Sequence, residues 1–69
     1  MDIGTRLRKL IKERGLKQRW VAEKSGVNEM TLQRILDNRH SPNAANIVRI
    51  AEALGVSTDW LLGLSDRAS

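Results

Sequence analysis

Cysteine, tyrosine and phenylalanine are absent from this chain, and proline (Pro42) and histidine (His40) each occur once. Without cysteine, neither a disulfide nor a thiolate metal site can staple the fold, and none is required by a reducing cytoplasm. Without Tyr or Phe the core must be aliphatic, since the aromatics are Trp20 and Trp60 alone. A single histidine, with no hydroxyl or paired carboxylates on a shared face, leaves no constellation for acid–base or nucleophilic catalysis. An enzyme is therefore the weakest reading, and no cofactor, metal or small-molecule ligand is implied. No apolar run approaches the roughly 20 residues of a membrane span, and no signal peptide is visible. Strand alternation, internal repeats and low-complexity linkers are missing too. What is left is a small all-α domain of 69 residues, 41% hydrophobic, near the lower size at which a core alone suffices.

Charge is uneven. The net is +4, yet residues 1–20 hold seven Lys or Arg against Asp2 and Glu13. Residues 21–40 balance at three against three, and residues 41–69 are slightly acidic. A basic end on a small domain suits an anionic partner, nucleic acid first among them. A solvated helix face explains the same charges equally well.

Five short helices can be read from stripes and stop signals. Asp2 can cap a first helix running to Arg14, with Ile3, Leu7, Leu10 and Ile11 as its apolar stripe, and Gly15 ends it. The second helix covers 18–25 and the third 29–37, with Asn38 tolerant of the left-handed stop. Asn43 caps a fourth, whose stripe Ile47, Ile50, Ala51, Leu54 ends at Gly55. Ser57 caps a short fifth, from which Trp60, Leu61 and Leu64 fold back on the core. Residues 1–64 make the domain, and 65–69 form a tail with little to pack against.

Helices 2 and 3 carry the most information. Gly26 reaches positive φ without a Cβ penalty, so it ends helix 2 sharply. Asn28 is a strong N-cap, so helix 3 starts two residues later. A turn this short forces a steep crossing, helped by the small Ala22, and that is the geometry of a helix-turn-helix. Such a pair projects its second helix outward, where it can enter a DNA major groove. At about 100° per residue, Leu32, Ile35 and Leu36 face one side of helix 3, while Met30, Arg34 and Asp37 face the other. Gln33 and Thr31 flank the free ridge, and Glu29 stands at its tip. Arg reads guanine bidentately, Gln reads adenine, Glu accepts from cytosine, and Met30 can cover a thymine methyl. Arg and Gln also furnish ordinary solvated faces, but an exposed Met is less ordinary.

With these residues in place, the chain resembles the lambda-repressor-type (XRE/Cro-like) helix-turn-helix domains of phage repressors and small bacterial regulators. The match runs over about residues 3–63. It rests on Gly15-Leu16, Gln18, Ala22-Glu23-Lys24, Gly26-Val27, Pro42, Ile50 to Ser57, and Asp59-Trp60-Leu61-Leu62 in order. The resemblance implies a compact five-helix DNA-binding domain. Base reading falls on Glu29, Met30, Gln33 and Arg34, and phosphate binding on Lys17, Gln18, Arg19, Asn38 and Arg39. Ala22, Gly26, Leu32 and Ile35 take structural roles.

The departures from the family pattern are informative. The family often pairs Arg and Glu between helices 1 and 3 where this chain has Ile11 and Leu36, so apolar packing replaces an ion pair. Lys17 stands where Ser or Asn usually caps, and Ser25 where an apolar residue is usual. Trp20 occupies a usually polar, outward position. It either lies over a neighbouring Arg or Lys stem or marks a contact surface, with local packing the favoured reading.

The function implied is a sequence-specific transcriptional regulator, a repressor binding a near-palindromic double-stranded operator as a homodimer in the cytoplasm of a bacterial or phage-infected cell, associated with the nucleoid. The dimer contact falls around Pro42–Ala45 and Val56–Leu62. An antitoxin or restriction-modification control protein would share the fold. A protein-interaction module that has lost DNA binding is the alternative from another class, and the basic end and Gln18 speak against it. His40 reads as an exposed loop residue.

Overall fold

Apolar stripes and stop signals coincide five times along the chain, and a helix forms at each, in a computed structural model that describes residues 3–38 and 42–66. They are α1 (Ile3–Glu13), α2 (Gln18–Ser25), α3 (Glu29–Leu36), α4 (Ala44–Leu54) and α5 (Thr58–Leu61). No strand occurs among the described residues. Bounds shift slightly from expectation, because Arg14 lies in the turn after α1 and Asp37 caps α3 rather than continuing it. The Asp2 cap, Arg39, His40 and residues 67–69 lie outside the described residues.

Gly26 takes φ 71°, and the backbone closes behind it. Val27 N–H reaches Ala22 C=O at 3.0 Å, while Gly26 N–H bonds Glu23 C=O at 3.2 Å. These bonds satisfy carbonyls that the end of α2 would otherwise leave open, and they drive Val27 into the core. Two residues later Asn28 accepts from Met30 N–H at 2.8 Å, so α3 starts capped. Asn43 and Ser57 cap α4 and α5 in the same manner. Lys17 provides no side-chain cap for α2. Ser25, in its usually apolar position, is buried with its hydroxyl donating to Val21 C=O at 2.5 Å, so no polar atom is stranded.

The core is aliphatic, as the missing aromatics require. Leu7, Val21, Leu32, Ile35, Ile50 and Leu61 are fully buried, each contributing about 1.5–3 kcal/mol of transfer free energy. Ile3, Ile11, Leu16, Ile47 and Trp60 close its margins half-buried. Leu64 does not join them: it is 71% exposed, because α5 ends at Leu61 and the chain then turns away through Gly63 at φ 77°. Trp20 is 44% exposed, and no cation lies over its ring among the described residues. The cation over a ring is instead Arg6, 5.4 Å from the centroid of Trp60.

Three arginines that composition assigned to a basic end are engaged internally. Arg6 donates to Trp60 C=O at 3.1 Å, Arg8 to Leu36 C=O at 3.0 Å and Arg14 to Leu54 C=O at 2.5 Å. These carbonyls lie at the C-terminal ends of α5, α3 and α4, where the helix dipole is negative and the last C=O groups lack helical partners. Together α1 and the turn after it thereby close three other helices. The guanidinium suits this role because it is a fixed fork of donors that keeps its charge.

Candidate nucleic-acid interface

Burial divides α3 along the line that its periodicity requires. Leu32, Ile35 and Leu36 are buried, while Glu29, Met30, Gln33 and Arg34 are exposed, Met30 to 65%. With side chains such a helix is about 10–12 Å across, close to the roughly 12 Å width of a major groove. Along this ridge Arg34 sits one turn from Met30, with a guanidinium nitrogen 3.9 Å from the thioether sulfur. It forms no ion pair among the described residues, so its charge is available to an external acceptor. Glu29 occupies the first turn, where the N-terminal dipole favours a carboxylate.

Gln18 opens α2 and lies half-buried against α3. Its Nε2 donates to Gln33 Oε1 at 2.7 Å, so a residue expected to bind phosphate touches one expected to read bases. Gln33 Nε2 in turn donates to both Asp37 oxygens at 3.0 Å. Asp37 is ion-paired with Arg8. Four side chains from three helices thus form one connected row. Sequence reasoning placed Gln18, Gln33 and Asp37 at this surface, but it gave Asp37 no role and did not bring Arg8 here. The four-residue spacing of Gln33 and Asp37 on one helix face was a readable signal. Nothing local marks Arg8.

The other expected phosphate contacts are spread around this row. Lys17 is exposed just before α2. Arg19 pairs with Glu23 at 3.3 Å, but both side chains are at least 70% exposed, so the pair is weak and Arg19 can exchange to another anion. Asn38 is partly committed: at φ 58° its Oδ1 accepts from Gly4 N–H at 3.1 Å, although the residue is exposed. This bond serves the N-terminus of α1, a capping role that no local pattern discloses. Within the segment expected to form a dimer contact, Val56 and Leu61 are core residues, so a partner can meet only their neighbours. No cluster able to hold a metal ion occurs among the described residues, and no helix is long and apolar enough to cross a membrane.

Known proteins resemble the chain in sequence and fold. A helix-turn-helix family model matches residues 7–61. The immunity repressor protein of Bacillus phage phi105 is 32% identical over 63 residues, covering 91% of this chain and 44% of that protein. The chain thus spans less than half the length of that relative. Among solved structures, the P22 c2 repressor in complex with a synthetic operator superposes with a TM-score of 0.83 at 25% identity, covering 94% of this chain and 98% of that one. The restriction-modification controller protein C.AhdI from Aeromonas hydrophila superposes at 0.82 and 28% identity, covering 87% and 91%. The chain belongs to the helix-turn-helix family. Its fold is that of the lambda-repressor-like (XRE/Cro-type) DNA-binding domains.

Proposed function

We propose that this domain binds double-stranded DNA sequence-specifically and acts, by binding alone, as a transcriptional repressor. It pairs as a homodimer on a near-palindromic operator with α3 in the major groove, in the cytoplasm of its host cell. The observation that carries this reading is the free ridge of α3, with Glu29, Met30, Gln33 and Arg34 exposed beside Gln18 at the start of α2. Phosphate contacts fall on Lys17, Gln18, Arg19, Asn38 and Arg39, which position the domain, while the ridge specifies sequence. The phage immunity repressor and the operator-bound P22 repressor support the repressor role. The likeness to a restriction-modification controller favours a second reading in which the same binding chemistry serves such a system.

Selection of bound duplexes from a random pool tests the proposal. A two-fold symmetric site should emerge, with half-site centres about 10–10.5 base pairs apart. A single module this small reads only a few base pairs, so the second copy supplies specificity. Among the described residues few large apolar side chains remain exposed (Trp20, Met30, Val48 and Leu64), too little for an obligate interface, so the free domain should be a monomer or weak dimer. Inserting five base pairs between half-sites should abolish cooperative binding. A tight dimer at nanomolar protein without DNA, or cooperativity that survives the insertion, refutes the pairing scheme.

Arg34→Ala probes the ridge directly. If Arg34 reads a guanine, its loss costs roughly 1–3 kcal/mol on the preferred site and relaxes preference at one base pair per half-site. The melting temperature should hold, since the side chain is exposed. Full affinity and selectivity in the variant would remove Arg34 from the reading set.

A further inference from the structure

We propose that Asp37, held by Arg8, is a positioning residue that sets the amide orientation of Gln33 and, through it, that of Gln18. The inference rests on the DNA-binding reading for its consequence, but its structural content stands apart. A Gln side chain ends in a carbonyl and an NH2 group of nearly equal size, joined by a torsion that is roughly two-fold. An exposed Gln therefore offers donor and acceptor in either order. A carboxylate removes that freedom, because it only accepts. Both Asp37 oxygens lie 3.0 Å from Gln33 Nε2, so the NH2 end of Gln33 is held toward Asp37. Its carbonyl then faces Gln18, which must answer with an NH2 group, 2.7 Å away.

Asp37 is itself secured. Arg8 bonds its carboxylate, and Arg8 Nε is fixed on Leu36 C=O at 3.0 Å, the carbonyl immediately before Asp37. The order of groups is thus set along the whole row, from a cation on α1, through a carboxylate and an amide on α3, to an amide on α2. The two outward results match what a duplex requires. Gln18 keeps its second N–H for an external acceptor, which is what a phosphate oxygen is. The two Asp37 oxygens, equidistant from Nε2, share one Gln33 N–H, which leaves the other N–H and one carbonyl lone pair in a fixed order, and adenine is recognised by such an ordered donor–acceptor pair. A carboxylate on a surface facing phosphates carries an electrostatic cost, and the Arg8 charge offsets it.

Asp37→Asn tests this, since Asn has the same size, suits a helix C-terminus, and can donate or accept. Two measurements are needed on the folded 69-residue chain. In side-chain amide NMR, the wild-type Gln33 and Gln18 NH2 protons should be resolved and slowed in rotation, and both should move toward averaged, solvent-like behaviour in the variant. In selection from a random duplex pool, preference at the base pair read by Gln33 should fall at least roughly fivefold. Affinity for random duplex should hold or rise, because one negative charge is gone. A structural role alone would lower the melting temperature and leave base preference intact, and that result overturns the proposal. Unchanged side-chain amide spectra overturn it as well. A wild-type domain that selects no sequence would instead sink the DNA-binding reading, with the amide spectra still deciding whether Asp37 orients the two glutamines.

Discussion

Leu36→Glu should leave the domain largely unfolded at 25 °C. Leu36 is 3% exposed at the end of α3, so the new carboxylate would be buried, and the cation bonded there, Arg8, is already committed to Leu36 C=O and Asp37. Removing the partner of a buried charge costs about 3–5 kcal/mol, and an unpartnered new one is in the same position. A domain below about 70–80 residues rarely has more than 3–5 kcal/mol of core stability to lose, so the expected cost consumes nearly all of it. Ile11, half-buried against the same core from α1, is the position where the family places an arginine. Adding Ile11→Arg should therefore recover much of the loss by restoring the family's ion pair. Urea melts of wild type, both single variants and the double variant, run on a stabilising osmolyte background, complete a double-mutant cycle. Additive losses would mean that the two side chains do not meet.

Gly4→Ala should also destabilise, against the usual expectation for a helix. At an exposed helical site this change gains about 1 kcal/mol, because Ala is the better helix former. Here an added Cβ would stand 2.5 Å from Asn38 Oδ1, 2.6 Å from Ile35 C=O and 2.7 Å from Leu36 C=O. Two of these are backbone atoms at the end of α3, which cannot swing aside as a flexible side chain would. Overpacking costs about 1–3 kcal/mol, and displacing Asn38 from Gly4 N–H forfeits a cap worth roughly another 1 kcal/mol. The penalties exceed the propensity gain, for a net loss of about 1–3 kcal/mol. Moving α1 away from α3 should also disturb the recognition ridge and weaken DNA binding. A urea midpoint at or above that of wild type would show that α1 and α3 can separate without cost.

Both effects involve residues whose importance is unequally visible in one dimension. Leu36 belongs to the Leu32, Ile35, Leu36 stripe, and periodicity alone marks it as buried. Gly4 looks like a weak point in an amphipathic helix, because its neighbours across the interface are 31 to 34 positions away. Trp20 lies between these cases: its outward position on α2 predicts an exposed residue, and it is 44% exposed.

What the sequence by itself determined is local. Gly15, Gly26 and Gly55 ended helices, Asn28, Asn43 and Ser57 began them, and apolar stripes told each helix which side to bury. Those signals act within about one or two helical turns, so they also settled the short turn at Gly26 and the free ridge of α3. Only the tertiary structure decided where the long polar side chains went. Arg6, Arg8 and Arg14 read alike as positive charge, but packing brings each to a carbonyl at the end of a different helix, 28 to 54 positions away. The row from Arg8 through Asp37 and Gln33 to Gln18 has the same origin. Its members are chemically unremarkable alone, and their roles follow from α1, α2 and α3 meeting at one surface, which propensity and periodicity cannot encode.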